Sequence, residues 1–290
     1  MYQNLKVTTI LRTKQQAFVI AGGIILLSIL YLFGRTVPAK NKTAEKQNVV
    51  AGTVSFSQIL DDFKSHLQPH QLNHLAILED TASKVHSKED KLHTYHSLAS
   101  YWRDSLHAFV PYAWYTAEAA KLENSEKSLT FAAHLLESRL PDEDNTQLVN
   151  WMATNAKVLF EKALEINPAN DSSKIGLGAC YIFGNISDNP MEGILPVRKV
   201  AEANPNNMYA QKVLALGGLK SGQLDKAIER FTIILNKEPD NLEIILRMAE
   251  AYERKGEKTK AIAFYERSLK QIQQPEFHHE VEDRIKELKK

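Results

Sequence analysis

The chain has one cysteine, Cys180, in 290 residues, so no intrachain disulfide can form. A chain without disulfides is compatible with either side of a membrane. Charge of one sign is also lacking: 36 basic residues face 35 acidic ones, the formal net charge is +1, and the pI is near 7.8. No global basic field therefore draws the chain onto nucleic acid. Motifs for chemistry are missing as well. There is no Walker loop, no GxSxG elbow, no dinucleotide fingerprint, no HExxH and no paired cysteines. Gly22-Gly23 and Gly217-Gly218 are not followed by the residues a phosphate cradle requires. Cys180 sits beside Leu177 and Tyr181 on an apolar helical face, where a thiol is core and not a nucleophile. Neither an enzyme nor a cofactor carrier is expected.

Histidine is the one residue type left that could carry chemistry. His66, His70 and His74 are spaced by four and His93 and His96 by three, spacings that share a helical face. Pro69 separates His66 from the other two. A zinc site needs three or four converging ligands, so metal handling through His70 and His74 is the weakest of the functional readings. His278 and His279 read as surface residues near the C-terminus.

What the chain does have is repetition. A shift of 34 residues lays Met208–Pro239 on Leu242–Gln273, with Gly222, Ala227 and Phe231 falling on Gly256, Ala261 and Tyr265. Within the first copy, Leu214 and Ala215 lie mid-helix, Gly222 ends that helix, Ala227 permits close approach of the next, and Pro239 closes the unit. The second copy offers Met248, Ala249, Tyr252, Gly256, Ala261 and Tyr265, with Pro275 two residues late. Further upstream, Ala156, Phe160, Ala163 and Pro168 repeat the second-helix pattern, and Leu177, Gly178 and Tyr181 repeat the first. The unit between them has a longer Gly184–Pro190 loop, Gly193 and Val197 in place of alanine and an aromatic, and Pro196 inside its second helix. That proline predicts a bend or interruption.

These residues and this period resemble the tetratricopeptide repeat, a helix–turn–helix unit that stacks on copies of itself. The resemblance implies an all-α, TPR-like α-solenoid, a right-handed superhelix of helical hairpins whose inner surface is built mainly by each unit's first helix. It implies a protein that holds other proteins. Carried onto this sequence, the groove positions are Ile175, Ala179, Ile182 and Phe183, then Tyr209, Lys212, Leu216, Leu219 and Lys220, then Leu246, Glu250, Glu253 and Arg254. The aliphatic ones are equally readable as inter-repeat core. The family's chaperone-docking groove has an asparagine one turn after its lysine. Here Leu216 follows Lys212, which argues against that subtype.

Upstream of residue 141 the repeat pattern fades while helical periodicity persists. Leu129, Ala132, Ala133 and Leu136 share one face, and Pro141–Asn145 ends that helix. Glu89–Asn124 reads as a helical pair opened in its second member by Pro111, and Ser55–Leu67 and Leu72–Val85 are amphipathic. About five or six helical pairs are expected in all. The N-terminus differs in kind: Ala17–Phe33 carries no charge, long enough at about 17–20 residues to span a bilayer as a helix. A cleaved signal peptide competes, but the run exceeds the usual 7–15 residues and Pro38 sits in the would-be cleavage site.

The expected layout is a basic tail (1–16), a transmembrane helix (17–33), a flexible linker (34–53), divergent helical repeats (54–140), tetratricopeptide repeats (141–275) and a capping helix (276–290). Basic residues flank the span on both sides, and a short basic tail before a large domain favours export of the repeats. The functional expectation is a non-catalytic, membrane-anchored scaffold for a protein or peptide partner in assembly or envelope biogenesis. An accessory subunit of an enzyme complex, such as cytochrome maturation machinery, is the alternative.

Overall fold

The computed structural model describes residues 54–290. The expected tail, transmembrane helix and linker (1–53) lie outside the described residues. Among those described, no helix is long and apolar enough to cross a membrane and no strand occurs. Thirteen helices follow one another: α1 (Phe56–Ser65), α2 (Pro69–Lys84), α3 (Lys88–Ser100), α4 (Phe109–Glu123), α5 (Glu126–Glu137), α6 (Thr146–Ile166), α7 (Asp171–Phe183), α8 (Met191–Ala203), α9 (Met208–Lys220), α10 (Leu224–Lys237), α11 (Leu242–Arg254), α12 (Lys258–Leu269) and α13 (Pro275–Leu288). Helix α3 ends in a π-helical turn, Tyr101–Ser105, after which His107 adopts φ 50°.

The helices pack as successive hairpins, α3 with α4, α5 with α6, α7 with α8, α9 with α10 and α11 with α12. The expected boundary at 140/141 falls inside the α5–α6 hairpin. The first helix of each later hairpin starts the same way: Pro168, Pro205 and Pro239 each precede by two residues an N-cap asparagine, Asn170, Asn207 or Asn241. Each asparagine carbonyl accepts an amide of the first turn, from Ser173, Ala210 and Ile244. Such caps satisfy donors that the helix itself leaves unpaired. At the other end, Gly222 and Gly256 adopt φ 76° and 82°, the left-handed conformation that lets the chain leave one helix and enter the next.

Ala227 and Ala261 are wholly buried, each where its helix crosses the preceding one. The α7–α8 crossing is closer still. A Cβ on Gly193 would overlap the Gly178 carbonyl and lie 2.8 Å from the Tyr181 Cβ, while one on Gly178 would overlap the Val197 side chain. Glycine therefore replaces alanine in this unit because the helix backbones touch. The interruption expected at Pro196 does not occur, and α8 runs unbroken from Met191 to Ala203. Glu192 and Pro196 are both exposed, so solvent can hydrate the carbonyl that lacks a donor. One apolar core runs from Ile59 to Ala251, with separate clusters around Leu75, Leu98 and Trp102 and around Ile272, Val281 and Ile285.

Candidate functional site

The first helices of the last hairpins bring their C-terminal halves together around a cavity of about 280 Å³. Phe183 from α7, Leu216 and Leu219 from α9, Leu140 just after α5 and Val149 from α6 form its apolar part. Lys220 from α9 and Arg247, Glu250 and Arg254 from α11 supply charge. The turn between α5 and α6 completes the wall through Pro141, Glu143, Asp144 and Thr146.

Six of the thirteen groove positions carried over from the family line this cavity: Phe183, Leu216, Leu219, Lys220, Glu250 and Arg254. The other seven are placed elsewhere. Ile175 and Ala179 have no exposed surface, and Ile182 is buried against the neighbouring helix, so these three are packing. Tyr209 is mostly covered. Its ring meets His134 edge-on at 5.3 Å and its hydroxyl lies 3.4 Å from His134 Nδ1. Lys212 pairs with Glu243 at 2.7 Å, at the N-terminal end of α9 and away from the cavity. Leu246 packs into the cluster under α13, and Glu253 accepts from Tyr265 Oη at 3.0 Å and pairs with Arg284 of α13. The terminal helix thus covers two positions that would face a groove if the stack continued.

Two cations of the cavity are conditioned differently by their surroundings. Lys220 Nζ donates to the carbonyls of Ile182 and Phe183 at 3.3 and 3.2 Å and lies 5.8 Å from the Phe183 ring centroid. Burial lowers its pKa, because desolvation disfavours the ammonium. For Arg247, burial opposes the charge, but Asp142 and Glu250 outweigh it and the pKa rises. The Arg247–Asp142 pair joins α11 to the α5–α6 turn across 105 positions of sequence. Sequence spacing gave no sign of this link, since an acidic turn after proline reads only as a helix stop.

A second polar network lies between α5, α7 and α9. His134 Nε2 is 2.8 Å from Ser172 Oγ, Glu137 Oε2 is 3.3 Å from Nδ1, and Thr130 and Ser173 share a bond at 2.9 Å. It knits three first helices together. His70 and His74 both lie exposed on α2, and the His74 ring lies 4.6 Å from that of Tyr101 with the two planes tilted by 50°. Among the described residues no three His, Cys, Asp or Glu side chains converge as a metal site would require.

Stacked helical hairpins with a cavity on their first helices define a helical-repeat architecture, in which successive units build an extended surface. The tetratricopeptide-repeat family model matches residues 218–279, the segment from the end of α9 to the start of α13. The chain is 33% identical over 132 residues to interferon-induced protein with tetratricopeptide repeats 2 of Homo sapiens, covering 43% of this chain and 27% of that protein. It is 26% identical over 129 residues to the corresponding protein 3 of Mus musculus, covering 44% and 32%. The chain thus spans about a third or less of these relatives. A tetratricopeptide-repeat protein from Parabacteroides merdae superposes with a TM-score of 0.40 at 16% identity, covering 75% of this chain and 86% of that one.

Proposed function

We propose that the chain is a membrane-tethered docking scaffold whose cavity between α7, α9, α11 and the α5–α6 turn holds a polypeptide segment of a partner. The carrying observation is the cavity itself, an apolar floor of Phe183, Leu216 and Leu219 beside the Lys220, Arg247 and Arg254 cations. Apolar anchors beside charge-bearing groups are what an extended peptide requires for affinity and register. The tether is the charge-free run Ala17–Phe33. Tetratricopeptide repeats generally mediate contacts between proteins, which accords with this reading.

Photo-crosslinking in cells tests the site. Thr146 is exposed on the cavity rim, whereas Val158 lies on the opposite side of α6 from Val149. A photoreactive side chain at Thr146 is expected to capture a discrete partner that the same group at Val158 does not. Capture from Val158 alone would move docking to the outer surface. For the tether, the full chain should stay in the membrane pellet after a carbonate wash, and release into the supernatant would remove the anchor.

A further inference from the structure

Three acidic residues follow Pro141 in the α5–α6 turn: Asp142, Glu143 and Asp144. The turn lies along the cavity, which Glu143 and Asp144 line, and the Asp142 carboxylate accepts from the Arg247 guanidinium on α11. Helical repeats ordinarily touch only their neighbours. This turn reaches past two hairpins to a third.

The charges around the cavity explain why. Lys220, Arg247 and Arg254 face three lining carboxylates, those of Glu143, Asp144 and Glu250. Lifting the turn leaves Glu250 alone against three cations, over an apolar floor. The turn is also built to lift. Leu140 is buried before it, and Asn145 caps α6 after it by accepting the Gln147 and Leu148 amides. Between these fixed ends its backbone bonds are local, Leu140 to Glu137 and Asp142 to Arg139. Its bond to α11 is the Asp142 carboxylate, which is more than half exposed.

We propose that the Pro141–Asp144 turn is an internal stand-in for the ligand, and that the partner segment is acidic and displaces this turn from Arg247. The proposal rests on the groove reading above and specifies it: a carboxylate already seated on the guanidinium identifies the chemistry the site accepts, and Arg–carboxylate pairing supplies the charge-assisted bonds.

The test is fluorescence anisotropy with the full chain in mild non-ionic detergent. The probe is a labelled peptide copying Ser138–Leu148 of this chain, and its control carries Asn, Gln and Asn at the three acidic positions. A variant neutralised at the turn (Asp142→Asn, Glu143→Gln, Asp144→Asn) is expected to bind the acidic probe at least tenfold tighter than the unaltered chain. Neither form should bind the control peptide comparably, and adding Arg247→Glu to the neutralised variant should abolish binding. Equal affinity with and without the acidic turn, still lost with Arg247→Glu, would overturn the displacement while leaving the groove in place. Binding indifferent to Arg247→Glu would overturn both. No binding by either form overturns the acidic specificity, and crosslinking at Thr146 then judges the groove separately. Helical circular dichroism of each variant establishes folding, with Asp142→Asn alone as the milder replacement if the triple change unfolds.

Discussion

Gly178, Gly193 and Gly218 are chemically alike and all lie inside helices, yet the space around them predicts opposite responses to alanine. At Gly193 an added methyl overlaps the Gly178 carbonyl, so Gly193→Ala should force α8 from α7 and cost about 1–3 kcal/mol. That outweighs the roughly 1 kcal/mol gained in helix propensity. At Gly218 the nearest atoms to an added Cβ stand 3.5 Å away, an ordinary contact, so Gly218→Ala should instead stabilise by about 0.5–1 kcal/mol. Urea midpoints of the two variants check the pair, and a shared sign would show that propensity alone governs. Sequence reading saw Gly193 only as a departure from the repeat pattern, because its cause, the carbonyl of Gly178, lies on another helix. Tyr209 gives a pH prediction. Burial, then the nearby Glu137, raises its pKa from about 10. Below pH 10 both folded and unfolded chains hold the proton and the contribution is intact. Above it the unfolded chain loses the proton first, so stability falls as pH rises. Tyr209→Phe should flatten that fall in urea midpoints measured from pH 9 to 11, and an unchanged slope would assign it to other tyrosines such as Tyr115 and Tyr265, which are also raised.

Each helix was legible where its own residues determine it, and illegible where a neighbour does. The period, Gly222 and Gly256, and the prolines that close the units are local chemistry, and the later hairpins follow from them. Groove membership is not local. Leu246 and Glu253 occupy the right faces of α11, but α13 packs over them, and no spacing within α11 shows what comes to rest against it. The α5–α6 turn was missed for the same reason: its link to Arg247 depends on how three hairpins stack. Helix α13 therefore has a measurable task. It contributes Val281 and Ile285 to a cluster with Ile272, and partly covers Leu246, Ile262, Tyr265 and Leu269. Removing Pro275–Lys290 should cost several kcal/mol, at about 1.5–3 kcal/mol for each fully buried aliphatic side chain. Thermal melts followed at 222 nm should show the loss. A truncated chain that melts like the parent would mean that α12 is self-sufficient.

A stack of hairpins that touch mainly in sequence order does not unfold as evenly as a globular core, because its ends have neighbours on one side only. The apolar cores here follow that logic. The main cluster takes in Ile59 and the helices from Val110 to Ala251, whereas Leu75, Leu98 and Trp102 towards the N-terminal end and Ile272, Val281 and Ile285 at the C-terminal end form smaller clusters of their own. The middle has extra ties besides: the Ser172–His134–Tyr209 network joins α5, α7 and α9, and Asp142–Arg247 joins the α5–α6 turn to α11. Local opening should therefore be easiest in α12 and α13 and hardest in α6, α7 and α9. Hydrogen exchange read by mass spectrometry on the full chain would rank the helices directly. The expected order has peptides from Lys258–Leu288 exchanging well before those from Thr146–Phe183 at the same pH and temperature. If exchange were uniform from α5 to α13, the ties across the cavity would be binding the last hairpin and α13 into one cooperative unit with the middle of the stack.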